Sequence, residues 1–235
     1  MSRVYLVGIG PGSSEYITLK AKSTIESSDI IVGYKHTIDS IKRLITLDEK
    51  DVRLVTLKTQ DSVYNSIVEE LIRDELSCSI LFTGDVNFSE SEIVDKLVNT
   101  FSRHGIDVIL IPGISSIQVA AAYSRIAIDK AVIITFHITG SIDYEKEVLL
   151  NALRNGKDVI LLPRPWDFMP YHISKFLELN RVDVNLYITE IYENLTLSNE
   201  KVTKCMLNEV KDIQYSDLCV MVIKRKRYIG NSNIS

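Results

Sequence analysis

Cysteine is scarce in this chain: three in 235 residues, Cys78, Cys205 and Cys219, with no C-x-x-C pair among them. An odd number at isolated positions argues against a disulfide framework or a thiolate metal site and fits a reducing compartment. Long apolar runs are missing too. The longest uncharged stretch, 108–124, is broken by Pro112-Gly113 and by serines, so it reads as a strand and a helix and not as a membrane span. A basic excess is also absent: the net charge of −4 argues against a general nucleic-acid binder, whose footprint would be positive. The one basic run, Lys224-Arg225-Lys226-Arg227, reads as a solvated, frayed terminus. The first strand begins at residue 4 with no apolar segment before a cleavage site, so a cytoplasmic protein is expected.

Two familiar phosphate-binding signatures are lacking where they would be looked for. The run Val4-Tyr5-Leu6-Val7 enters a turn with Gly8, Gly10 and Gly12 around Pro11. A dinucleotide fingerprint needs G-x-G-x-x-G and an acidic residue ending the second strand, but the next strand, 29–32, ends at Gly33-Tyr34. No Gly-Lys-Ser/Thr follows, which excludes a P-loop. A glycine-rich loop at a strand's carboxyl end still admits close approach of a ligand to backbone. For the loop taken alone, a tight turn without a ligand is the alternative.

With 46% hydrophobic and 25% charged residues the chain is globular in composition and long enough for a proper core. Strand-like runs at 4–7, 30–32, 52–56, 79–82 and 107–111 alternate with amphipathic segments at 16–27, 36–45, 62–76 and 89–104. A small-residue helix over 115–124 leads to a second series: strands at 131–136, 158–162, 185–191 and 217–223, and helices at 144–155 and 171–180. Residues 201–208 are ambiguous. The alternation predicts an α/β fold of two α/β/α lobes with mainly parallel sheets. The lobes are placed at 1–112 and 113–225, with a polar tail at 226–235.

Four loops at strand ends carry the chemistry: 8–13; Thr83-Gly84-Asp85-Val86-Asn87-Phe88-Ser89; Pro112-Gly113-Ile114-Ser115-Ser116; and Leu162-Pro163-Arg164-Pro165. Loops at the carboxyl ends of parallel strands line one crevice, and glycine, hydroxyls and a carboxylate there suit a polar cofactor.

In order and spacing these loops resemble the tetrapyrrole methylases, which are S-adenosylmethionine-dependent methyltransferases. The resemblance runs from Val4 to Ile223 and rests on V-G-x-G-P-G, on a Gly84-Asp85 loop and on I-P-G-I-S-S at 111–116. It implies two lobes with the cofactor in the cleft between them, unlike a Rossmann site, and a homodimer. Segment 111–122, Asp129-Lys130-Ala131-Val132, Phe136-His137 and Glu193-Asn194-Leu195-Thr196 are most similar to the subfamily that methylates C5 of cobalt-precorrin-7, in cobalamin biosynthesis. One departure stands out. Where the family usually has Gly-Asp-Pro, this sequence has Gly84-Asp85-Val86.

Carried over by position, the resemblance implies contacts to S-adenosylmethionine, and to its product S-adenosylhomocysteine, from Pro11, Thr83, Gly84, Asp85, Phe88, Ser115, Ser116, Leu162, Pro163 and Leu195. A corrinoid substrate with acidic side chains would meet Gly10, His137 and Arg164, with Tyr123 and Arg125 as further candidates. No general base and no metal site is named. Capping is the alternative role for Asp85, Ser115 and Ser116, and packing or solvation for His137, Tyr123 and Arg164. Uroporphyrinogen III methylation, diphthine synthesis and a non-catalytic nucleotide-binding module are the competing functions.

Overall fold

The computed structural model describes residues 2–226, which fall into two units divided between Ser116 and Ile117. In the first, five parallel strands, β1 (Arg3–Gly8), β2 (Ile30–Tyr34), β3 (Asp51–Val55), β4 (Ser77–Phe82) and β5 (Asp107–Ile111), lie in the order β3-β2-β4-β1-β5. The central strands are apolar almost throughout, as strands covered on both faces must be. Helices α1 (Leu19–Ser27) and α2 (Lys35–Ile41) pack Ala21, Ile25, Ile38 and Ile41 with Val7, Ile31 and Leu81. On the other face α3 (Gln60–Asp74) and α4 (Ser91–Ser102) bury Ile67, Leu71, Leu97 and Phe101 against Leu6, Val32 and Ile80.

This winding sets up the site. β4 lies between β2 and β1, whose helices go to one face, while α4 goes to the other. A crevice therefore opens at the carboxyl ends of the strands on each side of β4, the arrangement in which open α/β sheets bind ligands. Helix α1 starts at Leu19 and not near residue 16 because Thr18 Oγ1 accepts from Ala21 N at 3.0 Å and caps it, leaving Ser14–Tyr16 as one 3₁₀ turn.

The second unit corrects the expectation of mainly parallel sheets. Strands β6 (Val132–Thr135), β7 (Val159–Leu162), β8 (Tyr187–Glu193), β9 (Lys201–Met206) and β10 (Cys219–Arg225) take the order β6-β7-β10-β8-β9. Only β6 and β7 are parallel; the other three pairings are antiparallel. For β8 and β9 the reason lies in chain length. A parallel pair needs a crossover of a dozen residues or more, and only seven residues, 194–200, separate β8 from β9. Of the ambiguous segment 201–208, Lys201–Met206 is the edge strand of this hairpin and the last two residues enter a 3₁₀ turn. Helices α6 (Asp143–Arg154) and α7 (Pro170–Leu179) bury Leu149, Leu153, Ile173 and Leu177 on one face of the sheet. On the opposite face Ser124, at the end of α5 (Ser116–Ser124), bonds to Glu190 and Tyr192.

The basic run is not a frayed end over its first half. Lys224 and Arg225 belong to β10, and the Lys224 ammonium is held by Glu190; Arg227 and the residues after it lie outside the described residues.

Candidate functional site

Three of the four loops meet in the first unit, backbone against backbone. Gly10 N donates to Gly84 O at 3.2 Å and Gly84 N donates to Gly10 O at 2.7 Å, with both glycines at positive φ, +88° and +75°. A Cβ on Gly8 would lie 2.7 Å from Gly113 N, and one on Gly113 would lie 2.2 Å from Gly84 O. The glycines at 8, 10, 84 and 113 are thus needed for one crossing of three chain segments at the ends of β1, β4 and β5.

Asp85 closes the crossing. Its Oδ2 accepts from Gly113 N at 2.7 Å and its Oδ1 from Asn87 N at 2.8 Å. Both carboxylate oxygens thus hold loop backbone, within the turn and across to the β5 loop. The Gly84-Asp85-Val86 departure has a structural answer as well: Val86 is fully buried among the core residues of this unit, so apolar burial anchors the loop where proline would otherwise stiffen it. Pro11 and Ser115 are buried beside this crossing, while Thr83, Phe88 and Ser116 are half-buried. Gly84 is buried but has room at its α-carbon; a Cβ there would meet only Ser115 Cα, at 3.8 Å.

Two hydrogen bonds to a charged carboxylate are worth about 1.5–3 kcal/mol each. Asp85→Ala is therefore expected to destabilise the first unit by about 2–5 kcal/mol in denaturant melts, whereas Asp95→Ala, on the exposed face of α4, leaves its stability unchanged. Equal stabilities for the two variants would show that the staple does not hold the loops together.

The crevice on the other side of β4 carries a side-chain cluster that the sequence reading did not single out. Tyr34, ending β2, donates from its hydroxyl to Gln60 Oε1 at 2.9 Å, and its ring stacks on His36 with centroids 5.9 Å apart. His36 Nε2 lies 3.1 Å from Thr83 Oγ1. Desolvation lowers the His36 pKa, with Asp39 opposing it, and burial raises that of the Glu90 carboxyl. Gly33-Tyr34 marked only a missing carboxylate in the sequence; the spacing of Tyr34, His36 and Thr83 across 49 positions left no pattern to read.

In the second unit the carboxyl ends of β6, β7 and β8 share one edge of the sheet. His137 follows β6 there. Burial lowers its pKa, while the Pro163 carbonyl and Asp217 act the other way, and its Nε2 has no hydrogen-bond partner. Leu162 is buried at the end of β7. Arg164 is only 8% exposed and its guanidinium is committed: Nε and one terminal nitrogen donate to Asp167 at 2.6 and 2.8 Å, and the other donates to Gly140 O at 2.9 Å. Leu195 is buried in a tight turn whose neighbours Asn194 and Thr196 are both left-handed, held by Asn194 N donating to Leu218 O at 2.8 Å. Among the described residues no group of His, Cys, Asp and Glu could hold a metal ion, and no helix is long and apolar enough to cross a membrane.

The sequence profile of the tetrapyrrole (corrin/porphyrin) methylases matches residues 3–211. The chain belongs to this family. A probable cobalt-precorrin-7 C(5)-methyltransferase of Methanocaldococcus jannaschii is 36% identical to this tetrapyrrole methylase over 222 residues, spanning 93% of this chain and 96% of that protein. A uroporphyrinogen-III C-methyltransferase of Bacillus subtilis is 25% identical over 177 residues, spanning 69% and 65% of the two chains. Among solved structures, the methyltransferase CobJ superposes with a TM-score of 0.79 at 16% identity over 98% of both chains. The precorrin-6Y methylase (cbiE) of Archaeoglobus fulgidus gives 0.65 at 17% identity, covering 96% of this chain and 99% of that one. These two structures show that the fold is shared.

Proposed function

We propose that this tetrapyrrole methylase transfers a methyl group from S-adenosylmethionine to C5 of cobalt-precorrin-7, a step of cobalamin biosynthesis. The observation that carries the reading is the near full-length similarity to the Methanocaldococcus protein of that description, joined to the three-loop crossing at the ends of β1, β4 and β5. The residues fit the cofactor: a backbone surface free of side chains at Gly84, and Ser115 and Phe88 beside it. Bound there, S-adenosylmethionine supplies a methyl group already activated on a sulfonium.

What this chain adds is position. Pro11, Thr83, Gly84, Phe88, Ser115 and Ser116 present backbone, hydroxyls and a ring face to the cofactor, Gly10 is proposed to meet the corrinoid, and Asp85 fixes the loops that carry them. Leu162, Pro163 and Leu195 are proposed to complete the cofactor contacts, and His137 to meet the corrinoid. Arg164 is proposed to shape its loop through Asp167 and Gly140 as well as to face the substrate's carboxylates. Alignment of the reacting centres and exclusion of water provide the acceleration, since the transferred group needs no further activation. A cytoplasmic homodimer is part of this proposal.

The purified protein, mixed with S-adenosylmethionine and cobalt-precorrin-7, is expected to release one S-adenosylhomocysteine per corrinoid and none with uroporphyrinogen III. Turnover with uroporphyrinogen III alone would replace the corrinoid reading by the other family activity.

A further inference from the structure

We propose that His36, in the crevice between β2 and β4, is the group that accepts the proton released from the methylated ring carbon. The inference deepens the reading above and rests on it, because methylation of a meso carbon leaves a C–H bond that must break.

The geometry singles out this imidazole. The loop after β4 has a crevice on each side: Gly84 turns to the glycine crossing, and Thr83, one residue earlier, turns to His36. A group held at Thr83 is thus one hydrogen bond from the loop proposed to carry the methyl donor. Two contacts hold the ring, and a third holds its neighbour. Nε2 meets Thr83 Oγ1 at 3.1 Å, the Tyr34 ring stacks on one face at an interplanar angle of 21°, and Tyr34 is itself tied to Gln60. With Nε2–H donating to Thr83, Nδ1 keeps its lone pair, and no hydrogen bond to Nδ1 exists among the described residues.

His36 is exposed as a residue, and the protein around its ring partly desolvates it. Desolvation lowers its pKa; Asp39, one turn along α2, opposes this but is already paired with Lys42 at 3.0 Å and Lys35 at 3.4 Å. Glu90 and Asp61 act on neighbouring Tyr34, and burial raises the pKa of Glu90 itself. A neutral imidazole is a base at pH 7. In the step itself the ring carbon's π pair forms the new C–C bond, and the S–C pair stays on sulfur as a neutral thioether. The C–H pair then returns to the ring as conjugation is restored, and the proton passes to Nδ1 and on to water.

His137 is a competing imidazole, bonded to the Pro163 carbonyl and with an unpartnered Nε2, but it follows β6 in the second unit, whereas His36 is bonded to Thr83 on the β4 loop that also carries Gly84.

The test uses the full chain and His36→Gln, whose amide can still reach Thr83. In the wild type, nitrogen-15 NMR of the four histidines, with His36 assigned by its loss in the variant, is expected to show the Nε2–H tautomer and a titration midpoint below 6.5. His36→Gln is expected to bind S-adenosylhomocysteine within about twofold of wild type yet lose about a hundredfold in kcat with cobalt-precorrin-7. The rise of rate with pH through the His36 midpoint should vanish, and added imidazole should restore part of the rate. An Nδ1–H tautomer, a kcat within threefold of wild type, or a loss fully explained by weaker S-adenosylhomocysteine binding would overturn the proposal. Failure of the wild type to use cobalt-precorrin-7 would instead overturn the functional reading, and the NMR result separates the two.

Discussion

Gly113→Ala is expected to lose S-adenosylhomocysteine binding by about a hundredfold and to destabilise the first unit by about 3 kcal/mol. The added Cβ would sit 2.2 Å from Gly84 O and 2.7 Å from Gly8 C, and both are backbone, so neither can rotate away. One of the loops must shift by about an ångström to restore contact distance, a displacement of the size that costs about a hundredfold in a positioned site. The shift would also break the Asp85 bond to Gly113 N. Gly84→Ala is the informative comparison. It suffers from φ of +75° but has nothing closer than 3.8 Å, so its cost is the left-handed conformation alone, about 1–2 kcal/mol. Calorimetric titration and thermal melting measure both variants. A Gly113→Ala protein with wild-type affinity would mean that the crossing does not organise the ligand loops.

Glu190→Ala is expected to destabilise the second unit by about 3–5 kcal/mol, the usual cost of leaving a buried ion pair half removed. Glu190 is 4% exposed on the face of the sheet away from α6 and α7. Its carboxylate receives the Lys224 ammonium, the Tyr192 hydroxyl, Ser124 Oγ at 3.0 Å and Lys204 Nζ at 3.2 Å. Burial pushes its pKa up, but these donors outweigh burial and bring it down to about 2. Because the folded pKa lies below the unfolded value near 4.5, the group's contribution is complete above about pH 4.5. It is lost as pH falls from there toward 2, where Glu190 becomes protonated in the folded state as well. Thermal melts between pH 7 and pH 2.5 should show this loss in the wild type and a flatter curve in Glu190→Ala. Parallel curves would remove the network from the account of stability.

The parts of this picture that were legible in the sequence are those written in local chemistry. Alternate glycines at 8, 10 and 12, Gly84-Asp85 and Pro112-Gly113 each announce a backbone that must come close to something, and the structure shows that three of these segments cross one another. What stayed hidden depends on pairing between distant segments. The antiparallel insertion of β10 between β7 and β8 follows no local propensity, and the β8–β9 hairpin went unread because its second strand, within 201–208, had no clear pattern. Lys224 looked like part of a charged tail because nothing near it in sequence tells of Glu190, 34 positions away. The Gly84-Asp85 turn was legible but the partner of Asp85 across the crossing was not, since Gly113 is 28 residues downstream. The Tyr34, His36 and Thr83 cluster depends on β2 and β4 being neighbours, a fact of strand order alone.

The measurement that bears most directly on the central claim is carbon-13 NMR of the product formed from cobalt-precorrin-7 and methyl-labelled S-adenosylmethionine. The account predicts label at the meso carbon C5, none at C15, and no carbon dioxide released from the acetate side chain. Label elsewhere on the corrinoid, or label only on a pyrrole carbon when uroporphyrinogen III is offered in its place, would contradict it.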